Sequence, residues 1–485
     1  MISNIRINKD SDIALYQQLY ENIRNIIEDN ENLDGEKLPS IRALSKSLQI
    51  NNVTVVNAYK QLESEGYIYK VPGSGTFVRK PVLNIDSSTV EEGDMELMIS
   101  GIFPLLKDSI DFATVSPTPE LFPIKEFKQS LIEVLDRDKG MAFLYPEITG
   151  YGPLRESISK FINDNYSITV NKEQILITSG GQQGLDIISK TLVNQGDTIL
   201  VENPTYPGAY STFKSRGAKI VGLPLEDDGI NLDLLKGYVK RYNPKFIYLM
   251  PNYQSPTTIS YTNDKKKEIL RLAKEYNFYI IEDDFLTDLS FQGNKRLPMK
   301  TLDRNDNVIF IKSFSKIFMP GVRIGFMTIP GKLFKDLIKA KHSTDISSSG
   351  YLQRAFDLYL RKNLWKSHMD TIINDYYDKY MLMKEELDQL SHYGLSYKDP
   401  KGGLSIWVRL PKSWDSMKLY EECSKRKLAI VPGKVFFIDN DSFDNYIRLS
   451  FSAVTQEEIK KGMNILREIL SHSKLDKIDT YMPFL

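Results

Sequence analysis

Four features of the sequence could together hold a cofactor that carries both an aldehyde and a phosphate. Lys316 closes the stretch Ser313-Phe314-Ser315-Lys316, and its amine can form a Schiff base with an aldehyde. Asp283 ends an apolar run and can pair with a protonated pyridine nitrogen. Arg323 and the backbone amides of the turn Ser179-Gly180-Gly181-Gln182-Gln183 can neutralise a phosphate dianion. This set of groups predicts a site for pyridoxal 5'-phosphate (PLP).

Each of these signals has a simpler explanation when it is taken alone. Most glycine-rich turns between a strand and a helix bind no ligand, and Asp283 could form a structural ion pair. The motif Asn203-Pro204-Thr205-Tyr206-Pro207 could place Tyr206 flat against an aromatic ring, but a tyrosine of the core would look the same. The prediction therefore depends on the joint occurrence of these motifs in one chain.

The chemical residues follow short β-rich runs that alternate with helical stretches. This alternation predicts an α/β layer sandwich with a seven-stranded, mostly parallel sheet, in which ligands gather at the strand ends. Residues 360–485 mix helices with strands predicted at Gly403–Val408 and Tyr446–Phe451, which indicates a smaller α+β subdomain. The seven runs are residues 175–178, 198–202, 219–222, 246–250, 278–282, 308–312 and 324–329.

Residues 1–79 have a different pattern. Apolar residues at helical spacing predict three helices between Tyr16 and Leu62. Two β-rich runs, 67–71 and 76–78, follow and are joined by a glycine-rich tip. Three helices and a hairpin are typical of a winged helix-turn-helix that binds double-stranded DNA, and a helical interaction module is the alternative.

The charge distribution is compatible with a DNA-binding domain. The chain has 63 basic and 63 acidic residues, a balance that by itself argues against nucleic acid as a partner. Residues 37–80, however, are strongly basic, although an ordinary solvated surface can have the same composition. Residues 80–108 lose periodicity and gather acidic residues, so we predict a linker there and a PLP-binding domain over residues 109–485.

The composition of the 485 residues excludes several classes of protein. Hydrophobic residues make up 41% and charged residues 26%, as in a globular protein with a large core. No apolar run reaches the length of a membrane span, and the first residues do not resemble a signal peptide. Cys423 is the single cysteine and allows no intramolecular disulfide. We therefore expect a cytoplasmic protein without a metal site, in which Cys423 is a buried thiol.

Residues 13–79 resemble the GntR family of bacterial regulators. The motifs that carry the resemblance are Leu38-Pro39-Ser40-Ile41-Arg42-Ala43-Leu44, Thr54-Val55-Val56-Asn57-Ala58-Tyr59, Leu62-Glu63-Ser64-Glu65-Gly66-Tyr67 and Gly73-Ser74-Gly75-Thr76-Phe77-Val78. The resemblance implies that Arg42, Thr54 and Lys60 contact phosphates or base edges. It also implies that the wing glycines Gly73 and Gly75 lie close to the minor groove.

Residues 109–470 resemble aminotransferases of PLP fold type I, because the motifs at the strand ends occur in the same order. The resemblance implies that Lys316 forms the Schiff base with PLP, that Asp283 pairs with the pyridine nitrogen, and that Tyr206 stacks on the ring. Arg448, in Ile447-Arg448-Leu449-Ser450-Phe451, would bind the carboxylate of an amino acid, with an ion pair as the alternative. The residues that would hold the phosphate are Gly181, Gln182, Ser313, Arg323 and Tyr145 of the partner subunit.

Three positions depart from the patterns of these families. GntR regulators commonly have a basic residue where this chain has Asn52, and an asparagine would favour adenine over guanine. Aminotransferases usually have an asparagine where this chain has Ser255 and often a tyrosine where it has Phe285. Both of those groups contact the phenolic oxygen of PLP, so here either Tyr253 or no residue contacts it.

The joined domains resemble the MocR subgroup of GntR regulators. That resemblance implies a transcriptional regulator, commonly a head-to-tail homodimer, that senses PLP or an amino compound through an aldimine at Lys316. The alternatives are an active aminotransferase with a DNA-binding appendage, and a PLP-free protein that uses the fold for dimerisation. Asp283 favours retained chemistry, whereas Ser255 and Phe285 favour a sensor. GABA-like amines, other amino acids and PLP itself all remain candidate effectors.

Overall fold

The computed structural model divides the chain into two compact units, Met1–Asp86 and Ser87–Leu485. The residues that it describes are 5, 7–8, 14–28, 36–64, 67–71, 75–78, 98, 108–293, 296–411, 414–438 and 445–478. Nearly all of the linker predicted for residues 80–108, and the predicted DNA contact Gly73, lie outside that part of the chain.

The first unit contains the three helices and the hairpin that the sequence predicts. Its elements are α1 (Leu15–Glu28), α2 (Ile41–Leu48), α3 (Asn52–Ser64), β1 (Ile68–Val71) and β2 (Gly75–Val78), with β1 and β2 antiparallel. Ser40 caps α2 by accepting a hydrogen bond from the backbone of Ala43 at 3.2 Å. Gln49 ends that helix in the left-handed conformation, with φ at 51°. The winged helix-turn-helix prediction is confirmed.

After the short strand β3 (Ile110–Asp111), the second unit is built on an eight-stranded sheet. Its strands are β4 (Ile175–Thr178), β5 (Thr198–Asn203), β6 (Lys219–Glu226), β7 (Gly229–Ile230), β8 (Phe246–Leu249), β9 (Tyr279–Asp284), β10 (Val308–Ser313) and β11 (Gly325–Thr328). They lie in the order β4-β11-β10-β9-β8-β5-β6-β7, and only β11 and β7 run antiparallel to their neighbours. The mostly parallel sheet is confirmed with its seven predicted strands; the sequence missed β7, a two-residue return along β6 after the turn at Asp227 and Asp228.

Helices cover both faces of this sheet. They are α4 (Ile124–Asp138), α5 (Gly152–Tyr166), α6 (Gly181–Leu192), α7 (Pro207–Lys214), α8 (Leu232–Tyr242), α9 (Asn263–Tyr276), α10 (Phe334–Thr344), α11 (Gly350–Arg361) and α12 (Leu364–Gln389). The strands are therefore apolar on both sides: Tyr248 of β8 packs with α6 and α7, whereas Ile247 and Leu249 pack with α8 and α9. With both faces covered, the strand ends remain as the place for a ligand.

A smaller α+β part completes the second unit. Its elements are β12 (Ser396–Tyr397), β13 (Ser405–Arg409), α13 (Ser416–Lys425), β14 (Leu428–Ala429), β15 (Val431–Pro432), β16 (Tyr446–Ser450) and α14 (Gln456–Ile478). Four of its strands form an antiparallel sheet in the order β12-β13-β16-β15. The strand β14 pairs in parallel with β3, which brings the segment after β3 to this part. Within the described residues, no helix is both long and apolar enough to cross a membrane.

Candidate functional site

A cavity of about 360 Å³ opens at the carboxyl ends of the parallel strands. Most of the residues that the sequence assigns to the cofactor or the effector line it, namely Gly181, Gln182, Tyr206, Asp283, Ser313, Lys316, Arg323 and Arg448. Tyr145 does not line it and is 78% exposed. The fold therefore collects in one place side chains that lie more than 250 residues apart in the sequence.

One end of the cavity is built to bind an anion. The helix α6 begins at Gly181, and Gly181 and Gln182 of its first turn line the cavity, where the N-terminus of a helix favours an anion. Arg323 donates to the backbone oxygen of Ser179 at 2.5 Å and to the hydroxyl of Ser315 at 3.4 Å. Gly180 has φ at 82°, and a Cβ there would lie 2.9 Å from Nη2 of Arg323. Glycine is therefore required for the arginine to lie against this turn.

Gln182 and Tyr206 hold each other beside that anion-binding end. The Gln182 amide donates to the hydroxyl of Thr212 at 2.7 Å and to the backbone oxygen of Gly208 at 3.1 Å. Its oxygen accepts a hydrogen bond from the hydroxyl of Tyr206 at 3.3 Å. Burial, with Asp283 nearby, raises the pKa of Tyr206 to about 12, so the ring stays neutral.

Asp283 is a buried carboxyl group, 7% exposed. It lies near the end of β9 and accepts a hydrogen bond from the hydroxyl of Tyr248, on the neighbouring β8, at 2.7 Å. Burial raises its pKa to about 6, although the Tyr248 hydrogen bond opposes that shift. A protonated pyridine nitrogen would supply the positive charge that stabilises the ionised form.

Lys316 lies on the turn that follows β10. Burial, with Arg448 and Arg323 nearby, lowers the pKa of its amine to about 8. The neutral form, which attacks an aldehyde, therefore makes up about a tenth of the amine at pH 7, far more than for an exposed lysine. The backbone oxygen of the next residue, Ile317, lies 2.8 Å from Nε2 of the buried His368 on α12. That contact ties the lysine turn to a helix that leads into the smaller α+β part.

Arg448 lines the same cavity from the smaller α+β part. It lies on β16, is 4% exposed, and donates through Nη2 to the backbone oxygen of Ala113 at 2.5 Å. Its guanidinium carbon is 5.2 Å from the ring centre of Phe436. Burial lowers the pKa of Arg448 to about 10 while Asp111 opposes the shift, so the side chain remains a cation at neutral pH. A fixed, protonated guanidinium is suited to bind one carboxylate.

The positions that depart from the aminotransferase pattern also lie here. Ser255 and Phe285 both line the cavity. Of the two alternatives for the phenolic oxygen, Tyr253 or no residue, the structure disfavours Tyr253, which is fully buried, does not line the cavity, and has its ring against Gly402. Its backbone has φ at 51°, in the left-handed region. A left-handed residue in a loop is not visible in a sequence pattern.

Sequence reasoning missed the residues that support the predicted ones. Tyr248, Ser315 and His368 each contact a predicted residue or its turn, as described above. Only Tyr248 had a usable signal, because a phenol in the middle of a buried strand requires a hydrogen-bond partner. The other two contacts depend on tertiary packing.

The candidate DNA contacts lie on the surface of the first unit. Arg42 on α2, Asn52 and Lys60 on α3, and Gly75 on the hairpin are exposed, and Thr54 is half-buried. Their position relative to DNA stays a prediction. The Asn52 side-chain oxygen accepts a hydrogen bond from the hydroxyl of Ser45 at 2.6 Å, which ties α3 to α2. That bond occupies part of the acceptor capacity that adenine recognition by Asn52 needs.

The chain is similar to known proteins over nearly its whole length. The family profile described as "Aminotransferase class I and II" matches residues 110–466, and that described as "Bacterial regulatory proteins, gntR family" matches residues 15–78. The "Uncharacterized HTH-type transcriptional regulator YdfD" of Bacillus subtilis is 29% identical over 464 residues, which cover 92% of this chain and 94% of the relative. The "Probable rhizopine catabolism regulatory protein MocR" of Rhizobium meliloti is 24% identical over 471 residues, 95% of this chain and 94% of the relative.

A solved enzyme structure shares the fold of the second unit. The crystal structure of the kynurenine aminotransferase of Pyrococcus horikoshii, in complex with PMP, has a TM-score of 0.73 and 31% identity to this chain. It covers 79% of this chain and 95% of its own. The chain is thus similar both to regulators over nearly its full length and to an enzyme over its second unit, so the function must be decided between these two.

Proposed function

The chain belongs to the aminotransferase class I and II family and carries a GntR-family DNA-binding domain, and we propose that it is a transcriptional regulator whose DNA binding responds to an amino compound. Its architecture is that of the MocR-like regulators. The observation that carries the proposal is that a winged helix-turn-helix and a cavity with Lys316, Asp283 and Arg448 occur in one chain. The domain that contains the cavity and the domain that binds DNA are therefore parts of one polypeptide, so ligand binding in the cavity can affect DNA binding.

The cofactor is pyridoxal 5'-phosphate. When bound, it supplies an aldehyde that condenses with amines and a pyridinium ring that withdraws electrons. The cavity fits it at three points: we propose that Lys316 binds the aldehyde, that Asp283 pairs with the ring nitrogen, and that Arg323 with the start of α6 binds the phosphate. The lowered pKa of the lysine and the raised pKa of the aspartate support this assignment.

We propose that the effector reaches the cofactor as an amine and is held by Arg448. Arg448 belongs to the smaller α+β part, whereas Lys316 lies on the turn that follows β10 of the large sheet. A ligand held by both favours the arrangement in which the two parts are closest. The differential binding energy of that arrangement is what a sensor can transmit.

The GntR domain binds DNA, and we propose that residues 1–79 form the domain that does so, with residues 80–108 as the linker and 109–485 as the effector domain. The exposed side chains Arg42, Asn52, Thr54 and Lys60, with Gly73 and Gly75 of the wing, are the proposed contacts. Arg42 and Lys60 supply charge for phosphates, and the polar side chains of α3 supply hydrogen bonds for base edges.

We propose a head-to-tail homodimer. Large apolar residues are exposed on α4 and on the segment that follows it, namely Ile132, Leu135, Met141, Phe143 and Leu144. Arg155, only 3% exposed, pairs with Glu147 and donates to the backbone oxygen of Gly150 at 3.2 Å, which fixes the segment that carries Tyr145. A second copy would cover this apolar surface, and Tyr145 of the partner subunit would reach the phosphate.

A working aminotransferase is the second candidate function. The buried Asp283 and its Tyr248 hydrogen bond favour it, because a charge partner for the ring nitrogen is needed for catalysis more than for binding. Ser255 and Phe285 oppose it, because neither side chain replaces the amide and the phenol that usually contact the phenolic oxygen.

One experiment separates the two functions. A panel of amino compounds is titrated into the PLP-loaded, full-length protein, with the visible absorbance recorded together with the affinity for DNA selected from a random duplex library. The proposal expects an absorbance change and a DNA-affinity change from the same compound, both lost in Lys316→Ala. Multiple turnover at about 1 per second or faster, without any ligand effect on DNA affinity, would establish the aminotransferase instead.

A further inference from the structure

We propose that Lys341 and Asp345 are positioning residues for the phosphate of PLP and act through the side chain of Gln183. This inference rests on the assignment, proposed above, of the phosphate to Arg323 and the start of α6. Gln183 lies in the first turn of α6 but does not line the cavity. Its side chain instead joins that turn to α10, which packs against α6.

The side-chain amide of Gln183 has partners at both its oxygen and its nitrogen. The oxygen accepts hydrogen bonds from the backbone N–H of Ser179 at 2.8 Å and from Nζ of Lys341 at 3.2 Å. The nitrogen donates to the carboxylate of Asp345 at 2.8 Å. Lys341 also donates to Asp345, so Gln183, Lys341 and Asp345 form a closed triangle of hydrogen bonds. The triangle links α10 to Ser179, the residue that follows β4.

The lysine and the aspartate determine the orientation of the amide. A lysine ammonium only donates hydrogen bonds, and an ionised carboxylate only accepts them. If the amide of Gln183 were rotated by half a turn, its NH2 group would face two donors and its oxygen would face the carboxylate of Asp345. The pair of Lys341 and Asp345 therefore directs the Gln183 oxygen to the backbone N–H of Ser179.

The backbone of Ser179 connects this triangle to the proposed phosphate contacts. Its N–H donates to Gln183, while its carbonyl oxygen accepts a hydrogen bond from Arg323 at 2.5 Å. The next residue is Gly180, and a glycine is free to adopt other conformations when its neighbours are not held. A fixed Ser179 therefore keeps Arg323 and the N-terminus of α6 in one arrangement, which lowers the entropic cost of binding a phosphate.

The burial of Lys341 favours a positioning role over a stabilising one. The Lys341 side chain is 1% exposed, whereas Asp345 is half-buried. Burial lowers the pKa of the Lys341 amine, and Asp345 opposes that shift. Removing an ammonium from water costs free energy that can exceed the stabilisation from one ion pair. The pair is therefore a weak source of stability, and its effect is to fix the amide that it contacts.

The affinities for PLP and for pyridoxal, which lacks the phosphate, separate positioning from general stability. Each compound is titrated into the full-length, cofactor-free protein, with the absorbance of the Schiff base as the readout. Lys341→Met and Gln183→Met are each expected to lower the ratio of PLP affinity to pyridoxal affinity at least about tenfold, because the phosphate then meets a turn that is no longer held. The affinity for pyridoxal itself should change little.

Lys190→Met is the matched control. Lys190 also joins α6 to α10, since its Nζ donates to the hydroxyl of Thr344 at 2.7 Å, but this hydrogen bond does not involve Gln183. The ratio of affinities should therefore stay unchanged in this variant. Melting temperatures identify any variant that fails to fold. If Lys341→Met does not fold, Gln183→Met, which keeps the pair of Lys341 and Asp345, decides the test.

Arg323→Gln separates failure of this inference from failure of the phosphate assignment. It is expected to lower the ratio at least about a hundredfold, because the phosphate loses its cationic partner. An unchanged ratio in Arg323→Gln would mean that the assignment itself is wrong. If Arg323→Gln lowers the ratio while the folded Lys341 or Gln183 variant lowers both affinities equally or neither, the assignment stands and the positioning role is wrong. A loss in Lys190→Met as large as that in Lys341→Met would overturn the role of Gln183 in the same way.

Discussion

The two units hold their functional residues in opposite ways. In the first unit the candidate contacts Arg42, Asn52 and Lys60 are exposed and lie within two consecutive helices. In the second unit Asp283 and Arg448 are buried and come from distant strands. The difference teaches which residues determine ligand specificity: an exposed cation adds one screened contact, whereas a buried charged group is held in one position and interacts more strongly with a ligand charge. Substitutions should therefore have large effects in the second unit and small ones in the first.

The largest effect is expected at Lys316. Lys316→Ala should abolish the linkage that borohydride reduces, because the variant has no amine to bind the aldehyde. Lys316→Arg keeps the cation and should lose the linkage equally, which separates chemistry from charge. Reduction followed by peptide mapping checks both variants, and DNA binding reports that the first unit is intact.

A cofactor found on another lysine would contradict this assignment. Lys312 is the nearest alternative in the sequence, but it is 0% exposed and its Nζ lies 2.7 Å from Asp288. Its Nζ also lies 4.9 Å from the centre of the Tyr166 ring. Modification of Lys312 would mean that this buried cluster opens, and the comparison between buried and exposed charges would no longer hold.

The next effect concerns the stability of the cofactor-free protein. The pKa of Asp283 is raised from 3.8 to about 6 in the folded protein, so the folded state loses stability as the pH rises through this window. Asp283→Asn removes that loss and should stabilise the cofactor-free second unit by up to about 3 kcal/mol above pH 6, with no difference below pH 3.8. Denaturant unfolding at pH 4, 5 and 8 checks the sign.

Tyr248→Phe sharpens the same test with the opposite sign. The Tyr248 hydroxyl stabilises the ionised carboxylate of Asp283, so its removal should raise the pKa further and lower the stability at pH 8. At pH 4 the carboxyl is largely protonated in the folded protein, and the effect of losing the hydrogen bond should be smaller. Parallel pH dependences for the wild type and Asp283→Asn would show that Asp283 is not the group that titrates.

A somewhat smaller effect is expected at Arg448. Arg448→Ala should weaken the absorbance response to an amino acid by about a hundredfold, because the carboxylate loses a buried, charged partner. Arg448→Lys keeps the charge without the planar fork and should lie between the two. PLP titrations of the same variants provide the control, since the proposed phosphate contacts are other residues of the cavity. Loss of PLP binding equal to the loss of effector binding would place Arg448 on the cofactor instead.

The sequence predicts those residues of the site that lie at the ends of strands. Asp283, Ser313 and the turn after β4 lie where short apolar runs stop, and parallel strands bring such positions together. Pairing across the sheet is what the sequence does not reveal. The bond from Tyr248 to Asp283 requires the register that places Tyr248 opposite Ile281. Arg448 and Ala113 are 335 residues apart, and no local pattern predicts their contact.

Short elements could not be predicted either, because they too depend on contacts between distant parts of the sequence. The strand β3 has two residues and is stabilised by pairing with β14, more than 300 residues later. The burial of Tyr253 could not be read from the sequence, because it involves a left-handed backbone and close contact with Gly402. In the first unit, the bond between Ser45 and Asn52 joins two helices whose existence, but not whose contact, follows from periodicity.

The smallest effect is expected at Arg42. Arg42→Ala should weaken DNA binding about three- to tenfold and reduce the slope of log affinity against log salt by about one, as the loss of a single phosphate contact does. The absorbance of bound PLP should not change, since Arg42 belongs to the other unit. Lys461→Ala, which removes an exposed cation from the second unit, is the matched control and should leave the salt slope unchanged.

An unchanged slope for Arg42→Ala would show that this residue does not contact DNA. A changed PLP spectrum would mean that the exposed charges of the first unit and the buried charges of the second are energetically coupled, which the difference in their burial does not predict.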